Sequence, residues 1–330
     1  MDNAQIIEKV FHKATSTKDI YEAVILAESK KGDFSVDFGH GGRDINSPMF
    51  TASVGKLFVT TCIMILEGRG KLSLDDLISK YITKPALSSK LTISHLLFQT
   101  SGIPDWLAGG RDKKVFVEGD LLLSFEEKLA SIKDDKSHFN IGEKTHYSDT
   151  NFCILGKVIE NITEKPLATV CDEWIFKPLG LSKTYLPTSK DNFVTNIYHK
   201  ENSLHRPNAM ISASGSGDGM TTARELMVFL KAFFGGTFFP KSNFKDLTKY
   251  GKLQITMGGA WYGGGFMRIP LGVARTLFMG KGELLGHTGA TGSFAFYYPH
   301  KDLFFVGDFN QAARPGLPIM AAVSLATKLK

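Results

Sequence analysis

Two groups of predicted strands lie at opposite ends of the chain, and they constrain the fold more than any other feature. Near the N-terminus, residues 21–27 and 34–38 have the composition of strands, and the turn at residues 30–33 joins them. Four more strands are predicted beyond residue 260, over 261–268, 274–279, 293–298 and 303–309. Each group is too small to be stable alone, so we predict one antiparallel sheet that contains both and brings the chain ends together.

The residues between these two groups of strands have mainly helical patterns. Segments with helical spacing are separated by Pro and Gly turns and are predicted at 74–80, 93–98, 125–133, 151–162 and 167–175. Further helices are predicted at 3–14, 223–234 and 317–330. The expected fold class is therefore α+β, with an antiparallel sheet flanked by helices. We predict that residues 1–70 and 222–330 form the sheet domain, that 71–221 form an inserted, mainly helical domain, and that an active site lies between them.

Composition narrows the class of protein. The chain has 330 residues, 43% of them hydrophobic, which is enough for a large globular core. Its net charge of +6 suggests a nucleic-acid partner, but the lysines are scattered and no basic stripe is interleaved with aromatic residues, so we expect none. Sequence does not determine the oligomeric state.

Two further expectations concern redox chemistry and cell compartment. Cys62, Cys153 and Cys171 lie in apolar contexts without Cys-x-x-Cys spacing, and we expect buried free thiols. The longest apolar run, residues 57–66, is too short to cross a bilayer. The first residues lack a basic region followed by an apolar stretch, so we expect a cytoplasmic protein, or a secreted or periplasmic one if a leader was removed.

A candidate nucleophile lies at the start of the most apolar segment. If a helix begins at Ser53, its hydroxyl and the Lys56 amine, three residues apart, share one face at the end where backbone N–H groups are unpaired. A helix N-cap Ser with a Lys that extends to solvent is the alternative. Ser242 and Lys245 have the same spacing, but they lie in a polar stretch with no buried helix after them.

A second candidate is Tyr147, on the loop before the helix predicted from Asn151. A tyrosine hydroxyl there can shuttle protons if a nearby cation lowers its pKa. Alternatively, Tyr147 is a packing residue, and Ser148 or Asp149 caps the helix.

The third candidate is His287-Thr288-Gly289, followed by Ala290, at the start of a strand. Glycine at this point lets a ligand lie against an edge strand, with the Ala290 N–H directed toward it. His287 is a proton donor, an anion partner or a metal ligand. The nine histidines include no His-Glu-x-x-His or His-x-His pair, so we expect no metal site.

Two weaker candidates complete the set. Asn310, at the end of the last predicted strand, is either a polar substrate contact or a strand-end cap. His40 lies among glycines, where the end of a hairpin is favoured over an oxyanion loop.

The order Ser53-x-x-Lys56, then Tyr147-Ser148-Asp149, then His287-Thr288-Gly289 resembles the serine β-lactamase and penicillin-binding-protein superfamily. It is most similar to the branch of class C β-lactamases, D-alanyl-D-alanine carboxypeptidases and related esterases. Connecting stretches resemble the same branch, namely 70–76, 96–104, 147–160 and 286–299. The resemblance extends from about Met49 to Asn310.

This resemblance implies a β-lactamase/transpeptidase-like fold and an acyl-enzyme mechanism without a cofactor. Ser53 would attack a carbonyl, and water would later release the acyl group. Lys56 would be the base, provided that burial and a neighbouring cation favour its neutral form. Tyr147 would pass the proton to the leaving group, and the N–H groups of Ser53 and Ala290 would form the oxyanion hole.

Two departures from the family pattern bear on the substrate, for which Asp149, His287, Thr288, Gly289 and Asn310 are the predicted contacts. His287 stands where many relatives have Lys, and binds a substrate carboxylate only when protonated. Asp149 stands where the family usually has Asn, and a carboxylate cannot donate to a substrate acylamide oxygen. We therefore expect weak affinity for acylated penicillin side chains and tolerance of a free amine.

The expected function is a serine hydrolase that acts on a carboxylic ester or a D-amino-acid peptide or amide, with at most modest β-lactam hydrolysis. The alternative is a penicillin-binding sensor that is acylated without efficient turnover.

Overall fold

The computed structural model describes residues 2–82, 89–257 and 259–329. The α-helices in this part of the chain are α1 Asn3–Thr15, α2 Lys56–Gly68, α3 Ile93–Leu97, α4 Phe125–Ser131, α5 Asp149–Thr163, α6 Leu167–Cys171, α7 Pro207–Ser212, α8 Ala223–Gly235, α9 Phe244–Leu247 and α10 Leu317–Lys328. The strands are β1 Ala23–Ser29, β2 Ser35–His40, β3 Pro48–Phe50, β4 Ile197–His199, β5 Asn202–Leu204, β6 Met220–Thr222, β7 Gly251–Lys252, β8 Trp261–Tyr262, β9 Met267–Pro270, β10 Glu283–Thr288, β11 Ser293–Tyr298 and β12 Leu303–Asp308.

Eight of these strands form one antiparallel sheet in the order β2-β1-β12-β11-β10-β9-β8-β7. The N-terminal hairpin joins the C-terminal strands through β1 and β12, where Val24 lies opposite Asp308. His40 ends β2 opposite Ala23, as the hairpin interpretation of this histidine predicted. The prediction of an antiparallel sheet that contains both ends of the chain is confirmed.

The centre of the sheet is buried on both faces. Every residue of β12 is buried, as expected for a strand that is apolar on both sides. Helix α8 packs against β1, β11 and β12, whereas α10 packs against β10, β11 and α1. Helix α1 begins with an Asp2 capping box and buries its apolar face, which includes Ile7 and Phe11.

A second group of helices lies beside this sheet. Helix α2 is buried along nearly its whole length and packs against α5 and α6, and α5 also contacts α3 and α4. The sheet and these helices share one hydrophobic core. The division of the chain into domains at residues 70 and 221 stays a prediction, and residues 83–88 within the proposed helical domain lie outside the described residues.

Two strand predictions need correction. The segment 261–268 is interrupted, because Gly265 has a positive φ of 89° and approaches Thr60 so closely that a side chain would overlap it. The segment 274–279 is a turn in which Leu277 and Phe278 both have left-handed backbone conformations. The full strand β10 was not predicted.

The helix predicted at 74–80 shrinks to a single 3₁₀ turn, Ile78–Lys80. The backbone N–H of Ile78 donates to Leu91 O at 2.8 Å, so this backbone pairs with a neighbouring segment. The last helix ends at Lys328, and Lys330, to which the prediction extended, lies outside the described residues.

The three cysteines are buried free thiols, as predicted. No helix in the described ranges is long and apolar enough to cross a membrane.

A buried ion pair fixes the end of the central strand. The Arg43 side chain, 9% exposed, donates to Asp308 Oδ2 at 2.8 Å and also to the Pro48 carbonyl. It therefore connects β12 to the chain that enters β3. Burial raises the pKa of the Asp308 carboxyl, and the Arg43 charge opposes that rise.

We expect Arg43→Met to lower the free energy of unfolding by about 3–5 kcal/mol at pH 8, because a buried carboxylate loses its partner. This deficit should shrink as the pH falls. A carboxyl whose pKa is raised in the folded state takes up a proton there before it does so in the unfolded chain, which favours folding at lower pH. Urea unfolding at pH 8 and pH 5.5 measures both effects. The double variant Arg43→Met/Asp308→Asn should recover most of the loss, and a pH-independent deficit would contradict the assignment.

Candidate active site

Ser53 lies in a 3₁₀ turn, Ala52–Gly55, that leads directly into α2. The turn is held on both sides, because Thr51 N donates to Gly219 O at 2.7 Å and Ser293 Oγ donates to Thr51 O at 2.6 Å. Ala52 has a positive φ of 42°, which costs a non-glycine residue about 1–2 kcal/mol. The surrounding contacts hold this strained turn, which presents Ser53 at the start of α2.

Lys56 is completely buried beneath Ser53. Its Nζ lies 3.1 Å from Ser53 Oγ and also donates to the Asp149 carboxylate and to the Ser216 carbonyl. These three acceptors match the three N–H donors of an ammonium group. Of the two conditions set for Lys56 as the base, burial is met, whereas the charged group in contact with Lys56 among the described residues is the carboxylate of Asp149 and not a cation.

Two more carboxyl groups lie close enough to interact with Lys56. Burial and the charge of Asp149 raise the pKa of Asp105 to about 7. Burial raises the pKa of Asp218 to about 6, although nearby N–H groups and lysines oppose this shift. Near neutral pH, Asp105 is therefore partly protonated and Asp218 mostly ionised, and the site holds less negative charge than three carboxylates would carry.

Tyr147 is held in place by two glutamines. The Tyr147 N–H donates to Gln254 Oε1 at 3.0 Å, and the next N–H, of Ser148, donates to Gln99 Oε1 at 2.9 Å. The Tyr147 hydroxyl is buried and has no hydrogen-bond partner in the described part of the chain, and its ring centroid lies 5.0 Å from Lys56 Nζ. Burial raises the pKa of this phenol well above its usual value, so the hydroxyl keeps its proton.

His287 packs behind Tyr147, with its ring 5.9 Å from that of Tyr147 and 5.8 Å from that of Tyr262. Its Nδ1 lies 2.8 Å from the Thr288 carbonyl and must therefore donate, while Nε2 faces the Tyr262 hydroxyl at 3.4 Å. Burial and the charge of Lys56 lower the pKa of His287 to about 3. The structure contradicts a protonated His287 that binds a carboxylate, because the ring is neutral and enclosed.

The segment after β10 approaches the nucleophile closely. A side chain at Gly289 would place its Cβ 2.7 Å from Thr51 O, so only glycine fits there. The next residue, Ala290, thereby lies beside Ser53, as the predicted oxyanion hole requires.

Two cavities meet at Ser53, Asp149 and Ala290, which line both of them. The first, of about 390 Å³, is also lined by Leu107, Asp112, Lys113, Phe116, Val117, Ile197 and His199. The second, of about 460 Å³, is also lined by Tyr147, Met257, Met267, Thr288, Gly289, Ile319 and Met320. Ser53 therefore has space on both sides, as a reaction that divides a substrate into two parts requires.

Other predicted residues lie elsewhere. Asn310 lines neither of these cavities, and its Nδ2 donates to Glu22 Oε2 and Asn196 O, both at 3.1 Å. These bonds engage the Asn310 side chain away from both cavities and contradict the prediction of a substrate contact. Ser242 is exposed on a 3₁₀ turn, whereas Ser53 is partly buried.

Sequence reasoning missed Ser216, Asp105 and the supporting glutamines. The sequence did carry a signal for Ser216, because residues 214–219 are rich in glycine. Such composition is typical of backbone that approaches other backbone closely. Nothing in the sequence indicated that Asp105 and Asp149 lie near one lysine.

The chain matches a known protein family and is similar to several known proteins. A sequence model of the family described as Beta-lactamase matches residues 25–326. A protein of Salmonella enteritidis PT4, named as a D-alanyl-D-alanine carboxypeptidase, is 26% identical over 337 residues, which cover 88% of this chain and 75% of the relative. A D-stereospecific amidohydrolase from Streptomyces sp. has a TM-score of 0.82 at 23% identity, covering 94% of this chain and 95% of its own. The D-amino acid amidase from Ochrobactrum anthropi SV3 has a TM-score of 0.81 at 18% identity, covering 98% of each chain. These likenesses confirm the predicted fold.

We expect Tyr147→Phe to slow the hydrolysis of D-phenylalanine amide by about 10²–10⁴-fold, the usual contribution of a positioned proton donor, because the amine leaving group must be protonated before it departs. Thermal stability should hardly change, because the lost hydroxyl has no partner to leave behind. Release of D-phenylalanine measures the rate. Tyr262→Phe is the matched control, since it removes a hydroxyl that faces His287 instead of Ser53, and an equal loss in both variants would argue against a proton-transfer role for Tyr147.

Proposed function

The chain belongs to the beta-lactamase family of serine hydrolases, and we propose that it cleaves carboxylic esters or amides and peptides of D-amino acids through an acyl-enzyme on Ser53. The observation that carries this proposal is the buried contact of Lys56 Nζ with Ser53 Oγ and Asp149, at the meeting point of two cavities.

The proton path begins at Lys56. As an ammonium with three acceptors, Lys56 can take the Ser53 proton only after it has released one of its own. Asp149 is in direct contact and can receive it when no substrate ammonium occupies that carboxylate. When an ammonium does, Asp149 stays ionised and the Lys56 proton passes to solvent. The neutral amine, 3.1 Å from Ser53 Oγ, then removes the Ser53 proton while Oγ attacks the substrate carbonyl.

Charge that develops on the carbonyl oxygen is stabilised by the N–H groups of Ser53 and Ala290, a contribution of about 2.7–4 kcal/mol for each donor. Tyr147 gives its proton to the leaving group and regains one from Lys56. Its hydroxyl is suited to this role because it is protonated, buried and without a partner before substrate binds. Water then attacks the ester of Ser53, one of its protons returns to Ser53 Oγ, and the acyl group leaves as the carboxylic acid.

Asp149 favours substrates that carry a free amine. Its carboxylate lines both cavities, and a substrate ammonium beside it would form a charge-assisted hydrogen bond. The same ammonium would be a cation near Lys56, and a neighbouring cation favours release of a lysine proton. An amine-bearing substrate would therefore supply the positive charge that the protein itself does not place there.

The cavity walls agree with this substrate class. Apolar side chains, among them Leu107, Phe116 and Ile197, surround the cavity of about 390 Å³ and leave room for an apolar substituent. The names of two structural neighbours, a D-stereospecific amidohydrolase and a D-amino acid amidase, support the proposal.

Intact-mass spectrometry tests the proposed function. The protein is mixed in turn with p-nitrophenyl acetate, D-phenylalanine amide and benzylpenicillin, and both the adduct mass and product release are followed. We expect acetyl transfer to Ser53 with turnover, release of D-phenylalanine, and slow or no turnover of penicillin. A persistent penicillin adduct without product release would indicate the sensor instead. If wild type and Ser53→Ala behave alike with all three compounds, the proposed chemistry is wrong.

We expect Asp149→Asn to raise the ratio of penicillin acylation to D-phenylalanine amide hydrolysis by about 10–100-fold. The amide gains a donor for the acylamide oxygen and loses the charge that holds an ammonium, and hydrogen bonds to charged groups contribute about 1.5–3 kcal/mol. The ratio is used because loss of the Lys56 partner changes both absolute rates.

Asp112→Asn is the matched control for this change. Asp112 lines the same cavity but is exposed, and none of its contacts involves Lys56 among the described residues. An unchanged ratio in Asp149→Asn, or an equal change in Asp112→Asn, would contradict the role of Asp149 in selectivity.

A further inference from the structure

A second buried lysine lies on α4. Lys128 is 4% exposed, its Nζ donates to Ser212 O at 2.7 Å, and the ammonium lies 5.4 Å from the centroid of the Trp106 ring. No carboxylate of the described residues lies within ion-pair distance of Lys128, although its charge acts on the buried carboxyl of Asp218. Burial of a charged group without a direct ion pair is costly, so this lysine needs an explanation beyond packing.

Its acceptor begins the loop that holds the catalytic lysine. Ser212 ends α7, and the loop 213–219 that follows contains Ser216, whose carbonyl accepts a hydrogen bond from Lys56. The loop is tightly wound, because Ser216 N and Gly217 N both donate to Ala213 O, at 2.8 and 3.0 Å. Two buried lysines therefore bind backbone carbonyls only four positions apart, Lys128 at Ser212 and Lys56 at Ser216.

The same loop is wedged between α5 and the nucleophile turn. Gly215, with a φ of +81°, would place a Cβ 2.6 Å from Phe152 O. Gly217, with a φ of +151°, would place a Cβ 2.8 Å from Ser53 N. Since neither position has room for a methyl group, a displacement of this loop is transmitted directly to Ser53 and Lys56.

Further hydrogen bonds connect α7 to the segment before α4. Ser212 Oγ donates to Leu121 O at 2.8 Å and accepts from Leu123 N at 2.6 Å, and Ala209 N donates to the Asp120 carboxylate at 2.8 Å. These bonds fix where α4 lies, and so where Lys128 meets Ser212.

We propose that Lys128 is a positioning residue, which anchors the Ser212–Gly217 backbone so that the Ser216 carbonyl keeps Lys56 against Ser53. This inference rests on the proposed function, because it assigns Lys56 a part in the acylation of Ser53. Lys128 itself touches neither of the two cavities that meet at Ser53. It acts only through the loop.

Replacement of Lys128 by Met tests this role, because the apolar stem stays and only the ammonium is lost. We expect the single-turnover rate constant for acylation by p-nitrophenyl acetate to fall by about 10²-fold, the usual effect of a small misplacement of a catalytic group. Ester binding before acylation should stay within about twofold of wild type. The unfolding midpoint should stay close to that of wild type, since removal of a buried charge offsets the loss of the donor to Ser212 O. Lys128→Arg, which keeps charge and donor, should recover much of the rate.

Lys157→Met is the matched control. Lys157 lines the same cavity of about 280 Å³ as Lys128, but it pairs with Glu160 at 3.2 Å, and none of its described contacts involves the loop. We expect it to react at the wild-type rate. The proposal is overturned if Lys128→Met is acylated as fast as wild type, if its loss is matched by weaker binding or lower stability, or if Lys157→Met loses as much. Lys128→Gln serves the same test if the methionine variant does not fold.

Hydrogen exchange separates this inference from the proposed function. If wild type is not acylated at all, the proposed function fails, and the anchoring role is then decided by amide exchange in the peptide that covers residues 212–219. Exchange there should be at least tenfold faster in Lys128→Met than in wild type or Lys157→Met. Equal exchange in all three proteins would overturn the anchoring role.

Discussion

The ion pair between Lys56 and Asp149 is the interaction on which the whole site depends. It joins α2 to the first residue of α5 across 93 positions of sequence, at a point where the lysine is completely buried. Removal of one partner from such a pair typically costs about 3–5 kcal/mol, because the other charge is left without compensation. The Ser216 carbonyl completes the set of acceptors, so three distant segments meet on one ammonium group.

The sheet supplies the other half of the site through close backbone approach. Strand β10 ends where Gly289 lies against Thr51, and this contact places Ala290 next to Ser53. Because Ser293, the first residue of β11, also donates to the Thr51 carbonyl, the nucleophile turn is held by two neighbouring strands as well as by α2. The positive φ of Ala52 is tolerated only because these contacts restrain the turn from both sides. The reacting atoms are thus held by rigid elements.

Much of this arrangement could be predicted from sequence, where local pattern and three-dimensional position agree. The strands at 293–298 and 303–309 were recognised because burial on both faces selects continuous apolar runs. The strand prediction at 274–279 was wrong because it rested on the same apolar pattern. Leu277 and Phe278 are apolar, but they lie exposed in a turn. The order of the motifs along the chain allowed Ser53, Lys56 and Tyr147 to be assigned to one predicted site. Their electrostatics could not be predicted, because the neutral state of His287 and the anion beside Lys56 arise from burial and from contacts between distant segments.

The proposed substrate preference and the proposed proton path both depend on Asp149, so this residue also affects selectivity between substrates. A substrate ammonium bound at Asp149 competes with Lys56 for the same carboxylate, and it also brings positive charge toward Lys56. Both effects favour the neutral lysine that Ser53 requires. A substrate without an amine does neither, so Lys56 then becomes neutral only by transfer of its proton to Asp149. Under the proposed function, discrimination between substrates with and without an amine would therefore appear in the acylation step as well as in binding. The reason is that Asp149, which recognises the substrate ammonium, also holds Lys56 in its charged form.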